Sequence, residues 1–73
     1  MQGKFIMEYG YVKSWDASKG FGFITDEDDN DFFVHVSDLD VTIKNKRLKE
    51  GQRVAFDIRS DFKGDRAINV RAI

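Results

Sequence analysis

Lys19-Gly20-Phe21-Gly22-Phe23-Ile24 and, after an acidic stretch, Asp31-Phe32-Phe33-Val34-His35 are the segments whose reading decides the fold. Both are short, aromatic-rich and alternating, the signature of β-strands. Phe21 and Phe23 stand two apart, so on a strand they point to one face. Gly20 and Gly22 give the opposite face no side chain, and a neighbouring backbone can approach closely there. On the second segment Phe33 and His35 share one face, and Phe32 and Val34 the other. If the two strands are neighbours, Phe21, Phe23, Phe33 and His35 make one aromatic surface. Any one of these rings could belong to a core. All of them could be buried only if both faces of the sheet were covered, and 73 residues offer nothing to cover the second. An exposed aromatic cluster is costly unless something binds it. Nucleic-acid bases suit such a surface, because each has a π-face and stacking contributes ~1–3 kcal/mol per base.

Alternation continues on either side. Tyr9, Tyr11, Lys13 and Trp15 share a parity opposite to Val12. Val54, Phe56 and Ile58 alternate with Arg53, Ala55 and Asp57, and Ile68 and Val70 with Asn69 and Arg71. Strands are therefore expected at about 9–15, 20–26, 31–36, 52–59 and 66–72. Asp16 to Gly20, the acidic run through Asn30, and Lys63-Gly64-Asp65 read as turns. Residues 37–50 form a longer connection, in which Ser37 with Asp40 could cap a short helical turn. No window carries a sustained helical period. Five short strands in so small a chain imply an all-β fold, a closed or nearly closed barrel.

The chain is long enough for one domain. It has no cysteine, so no disulfide can staple it, and the core must come from Val, Ile, Leu and Phe. No stretch is long enough to span a membrane, and Phe5-Ile6-Met7 is too short for a signal-peptide core. A soluble, cytoplasmic protein is expected. Net charge is −1, which by itself points nowhere. Its distribution says more. Asp26, Glu27, Asp28, Asp29 and Asp31 crowd one segment, and Lys44, Lys46, Arg47, Lys49 and Arg53 another. Either cluster could be a merely solvated loop; the basic one could also be a wall of a phosphate-tracking groove. His35 is the only histidine. With no His or Cys partner, no metal site is expected, and no nucleophile with an orienting group accompanies it. A stacking ring or a plain surface histidine are its two readings. No enzyme activity and no cofactor are expected.

At these segments the sequence resembles the cold-shock domain family, a five-stranded antiparallel barrel of the oligonucleotide-binding type with two ribonucleoprotein-like motifs on adjacent strands. Lys19 to Ile24 matches the first motif and Asp31 to His35 the second, with Phe32 where valine is usual. The resemblance runs from about Met7 to Val70, taking in Gly10, Val12 and Lys13, then Glu50-Gly51-Gln52, Val54, Phe56 and Ile58, then Ala67, Asn69 and Val70. It divides the chain into an N-terminal extension, residues 1–6, and a domain, 7–73. It implies binding of single-stranded RNA or DNA, a preference for pyrimidines, and the melting of RNA structure ascribed to RNA chaperones. Carried over by position, the stacking residues are Trp15, Phe21, Phe23, Phe33 and His35. Lys13, Lys19 and Lys63 match basic positions, and Asp31 a position that accepts a hydrogen bond from a base. Tyr11, Phe62 and Arg66 are possible additions. A monomer is expected.

The departures are specific. The family usually has Trp-Phe-Asn after the first-strand lysine, where this chain has Ser14-Trp15-Asp16. Val36 stands where Phe is usual, and no aromatic lies between Ser37 and Arg53. These losses keep a second reading open: a barrel with weak nucleic-acid affinity that acts as a protein-interaction module.

Overall fold

The computed structural model describes residues 7–62 and 64–73. Five strands stand close to where alternation predicts them: β1 Met7–Asp16, β2 Phe21–Asp26, β3 Asp31–His35, β4 Arg53–Asp61 and β5 Gly64–Ala72. They close into a barrel in the order β1-β2-β3-β5-β4. One seam corrects the expectation of a wholly antiparallel barrel, since β3 and β5 run parallel, with Phe33 beside Arg66. The reason is parity. Strand direction cannot reverse at every step around a closed ring of five, so at least one neighbouring pair must be parallel.

The core is built from Val12, Ile24, Phe32, Val34, Val54, Phe56, Ala67 and Val70 of the strands. Phe32 and Phe56 lie 5.4 Å apart between ring centroids. Leu39, Ile43 and Leu48, all from the long β3–β4 connection, are buried in the same cluster. At ~1.5–3 kcal/mol per buried aliphatic side chain, these anchors order a connection that has little regular structure of its own. Gly22 is a close-approach glycine: a Cβ there would lie 2.1 Å from the Ser14 carbonyl oxygen.

Two bulges shift the alternation. Val12 pairs with Ile24 and Ser14 with Phe23, so Lys13 is an extra residue on β1. Beyond it the parity inverts. Ser14 takes the outer face with Phe23, and Trp15, opposite Gly22, packs against the core. On β5, Asn69 adopts a left-handed conformation (φ 50°), tolerated by asparagine, and an extra residue lies between the partners of Ala55 and Asp57. The buried β5 residues are therefore Ala67 and Val70, and Ile68 is only half-buried. Ala55 and Asp57 of β4 are buried along with Val54 and Phe56. The Asp57 carboxylate accepts from the Asn69 amide at 3.0 Å and lies 3.6 Å from the Arg71 guanidinium.

Two local expectations are also corrected. The short 3-10 turn is Val36–Asp38, and the side chain that caps it is His35, not Ser37. The last pair of strands reaches further than the expected turn at Lys63-Gly64-Asp65 allows: pairing continues through Ser60–Asp65 to Asp61 opposite Gly64. Among the described residues no helix is long and apolar enough to cross a membrane.

Candidate nucleic-acid interface

The registers of β1, β2, β3 and β5 stack the outward-facing residues into rows. The middle row is Ser14, Phe23, Phe33 and Arg66; below it stand Asp16, Phe21 and His35; above it Tyr11, Thr25 and Asp31. Phe33 is the hub. Its ring centroid lies 5.8 Å from Phe21, inclined 34°, and 5.9 Å from Phe23 in an edge-on arrangement. The Arg66 guanidinium carbon sits 5.8 Å from the same centroid. Phe23 is 40% exposed, and Phe21, Phe33 and His35 are half-buried against one another, so these rings form a surface and not a core.

His35, Lys13, Asp31, Asp16 and Arg66 are each held by a neighbour. His35 Nδ1 accepts from the Ser37 backbone N–H at 3.1 Å and lies 2.9 Å from the Ser37 hydroxyl. That leaves Nε2 without a protein partner among the described residues. Lys13 Nζ donates to Asp31 at 2.8 Å, and the Thr25 hydroxyl donates to the other carboxylate oxygen at 2.9 Å. The Lys13 bond, then the Thr25 bond, hold the Asp31 carboxyl below its ordinary value, and the Asp31 bond and charge raise Lys13 above its own. Lys19 lies exposed in the β1–β2 turn. That turn is fastened by the Asp16 carboxylate, which accepts from the Ser18 hydroxyl at 2.7 Å and from the Ser18 and Lys19 backbones at 3.0 and 3.1 Å. Arg66 is tied to Asp38 of the 3-10 turn by an ion pair.

Phe21, Phe23, Phe33, His35, Lys13 and Asp31 of the sequence-predicted site thus come together. Trp15 does not join them, because the Lys13 bulge turns it inward. Tyr11 stands on the outer face at 42% exposure, with Tyr9 beyond it at 46%. Phe62 is 96% exposed at a hairpin tip. Lys63 lies outside the described residues. Sequence reasoning missed the residues that orient the site: Thr25, Ser37 and Asp38. Ser37 is two residues from His35 and follows a recognisable local pattern. Nothing in the spacing of Asp38 and Arg66, 28 residues apart, points to their pairing.

The whole of this barrel matches one known family: residues 8–73 fit the "Cold-shock" DNA-binding domain. The chain belongs to the cold-shock domain family. Cold shock protein 1 of Lactiplantibacillus plantarum is 52% identical over 88% of this chain and 96% of its own length. A cold shock-like protein of Aquifex aeolicus is 49% identical over 88% and 91%, and cold shock protein CspC of Bacillus subtilis 46% over 89% and 97%. Among solved structures, Drosophila Unr CSD456 superposes with a TM-score of 0.73 at 20% identity. The match covers 93% of this chain and spans 27% of that one, which is a likeness of fold. Ser14 puts no ring at the β1 end of the middle row, and the outward-facing rings on that strand are Tyr11 and Tyr9.

Proposed function

We propose that this domain, residues 7–73, binds single-stranded RNA or DNA as an RNA chaperone, stacking bases on Phe21, Phe23, Phe33 and His35. The observation that carries this is the packing of Phe21 and Phe23 around Phe33 on a water-facing sheet. Such a surface offers π-faces to bases and no reacting groups, which supports a binder and not an enzyme. Lys13, Lys19, Lys63 and Arg66 supply positive charge for phosphates. The Lys13–Asp31 pair is exposed, so a phosphate can take the ammonium and free the carboxylate to accept from a base. His35 Nε2 is available to a base edge. Tyr11 extends the platform, and Phe62, exposed beside the β4–β5 pairing, offers a further ring. Trp15 lies beside the platform and meets only a strand long enough to pass its lowest row. The protein acts as a cytoplasmic monomer, with residues 1–6 as an extension ahead of the domain.

The test is a titration of labelled oligopyrimidine read by fluorescence anisotropy. Single strands should bind and duplex should not, with log affinity falling against log salt at about −0.7 per phosphate contact. A folded protein that binds neither at low salt would instead favour a protein-interaction module, the reading that the missing rings at Ser14 and Val36 leave open.

A further inference from the structure

A cleft of about 700 Å³ opens between the β3–β4 connection and the end of β1, within the range of ~300–1,000 Å³ of small-molecule sites. Trp15, Ile43 and Leu48 line it together with Lys44, Arg47 and Lys49, and no carboxylate does. Ile43 and Leu48 are anchored in the core, so the loop carrying the cations is fixed in place. All three cations are exposed, and none is in an ion pair among the described residues. The Trp15 indole N–H is buried and has no acceptor among the described residues. A ring and an aliphatic wall beside unpaired cations are the elements of single-strand recognition.

The cleft also lies on a path from the platform. Trp15 immediately precedes Asp16, which pairs with Phe21, which pairs in turn with His35. The lowest row of the platform and the cleft thus share one end of the barrel. We propose that this cleft takes one nucleotide of a single strand that overruns the platform, its base against Trp15 and its phosphate among Lys44, Arg47 and Lys49. The proposal rests on the single-strand reading above and adds a subsite that replaces part of the stacking surface missing at Ser14.

Trp15 is the only tryptophan, so its emission reports the cleft while the anisotropy of a labelled oligothymidylate reports binding. Oligomers of about four and about eight nucleotides bracket the platform alone and the platform plus cleft. Both should raise anisotropy, and only the longer should change Trp15 emission. Replacing Lys44→Ala, Arg47→Ala and Lys49→Ala together should weaken the longer oligomer at least ~10-fold, reduce its salt slope by about 0.7 for the one phosphate lost, and leave the shorter unchanged. Equal emission changes with both oligomers, or none with the longer while anisotropy shows it bound, would overturn the subsite. So would equal weakening of both by the triple variant, or an emission change elicited by polyglutamate and not by the longer oligomer. No anisotropy change with either oligomer would overturn the single-strand reading itself, and this proposal with it.

Discussion

The two ends of the barrel carry opposite charge and treat it differently. At one end Glu8, Asp26, Asp28, Asp31 and Asp65 surround a shallow hollow. At the other, Lys44, Arg47 and Lys49 line the cleft beside Trp15. The acidic end is tied into the fold. Asp26, almost fully buried, accepts from the Asp28 and Asn30 backbones at 2.9 Å each and from the Asn30 amide at 3.2 Å. Asp31 is held by Lys13 and Thr25. At the basic end the backbone of Lys49 is held by the Gln52 side chain at 3.0 Å, but the Lys44, Arg47 and Lys49 side chains are in no ion pair among the described residues. A net charge of −1 conceals this separation. The lesson is that carboxylates here fasten the chain while the loop cations stand ready for something outside it, and the aromatic platform runs between the two.

The strongest way to break that contrast is to cut the acidic fastening. Asp26→Ala removes the acceptor for three donors, two of them backbone N–H groups in a tight turn. It should cost about 2–4 kcal/mol in urea unfolding, whereas Lys44→Ala, fully on the surface, should stay within about 0.5 kcal/mol of the parent. Comparable losses from the two would remove the distinction.

Acid should act on the same end. Burial pushes the Asp26 carboxyl up, but the hydrogen bonds from Asn30 and Asp28 outweigh it and leave the group below its ordinary value of 3.8. Asp16, Asp31 and Asp40 are lowered as well, chiefly by bonds from Ser18, Lys13 and Thr42 respectively. A carboxyl whose folded value is depressed binds fewer protons folded than unfolded. Its contribution is complete above the unfolded value and is lost as pH falls through the folded one. The melting temperature should therefore be level above about pH 5 and drop below about pH 4. Asp26→Asn should shallow that drop; an unchanged acid limb would show that the turn is not held by this carboxylate.

What the sequence makes legible, and what it hides, follows from where regularity breaks. The alternation of Phe21 to Ile24 and Asp31 to His35 survives intact, and those strands carry the platform as read. Gly22 is also legible, as a strand glycine that must admit a backbone, and the Ser14 carbonyl is what it admits. The reading fails just past Lys13. A bulge adds a residue without altering composition, so parity counted from Tyr9 no longer holds at Trp15, the residue that the family resemblance counts among the stacking rings. Asn69 hides the β5 core positions in the same way. Pairings set by barrel closure, such as Arg66 with Asp38, have no local signal at all.

Between the two ends, Phe33→Ala should weaken oligopyrimidine binding by ~1–3 kcal/mol, because it removes the ring on which Phe21, Phe23 and Arg66 converge. The fold should survive, since Phe33 lies outside the core cluster. Phe56→Ala, fully buried, should reverse the pattern, costing ~3–5 kcal/mol of stability. Unfolding of the Phe33 variant would make that ring structural.

The smallest effect should come from softening the acidic end without touching its fastening. Glu27 and Asp28 are exposed, and only the backbone of Asp28 takes part in the bonds to Asp26. Glu27 lies 4.0 Å from Arg53, a weak surface contact. Glu27→Gln with Asp28→Asn therefore leaves the turn intact while removing repulsion toward a strand lying across Asp31. Charges within roughly 8–10 Å of a phosphate are felt at physiological salt, and more distant ones are screened. Affinity should rise by less than about 1 kcal/mol at low salt and return to the parent value as salt increases, read from paired anisotropy titrations. A rise that persists at high salt would mean that the substitutions reshaped the platform, because pure electrostatic relief cannot survive screening.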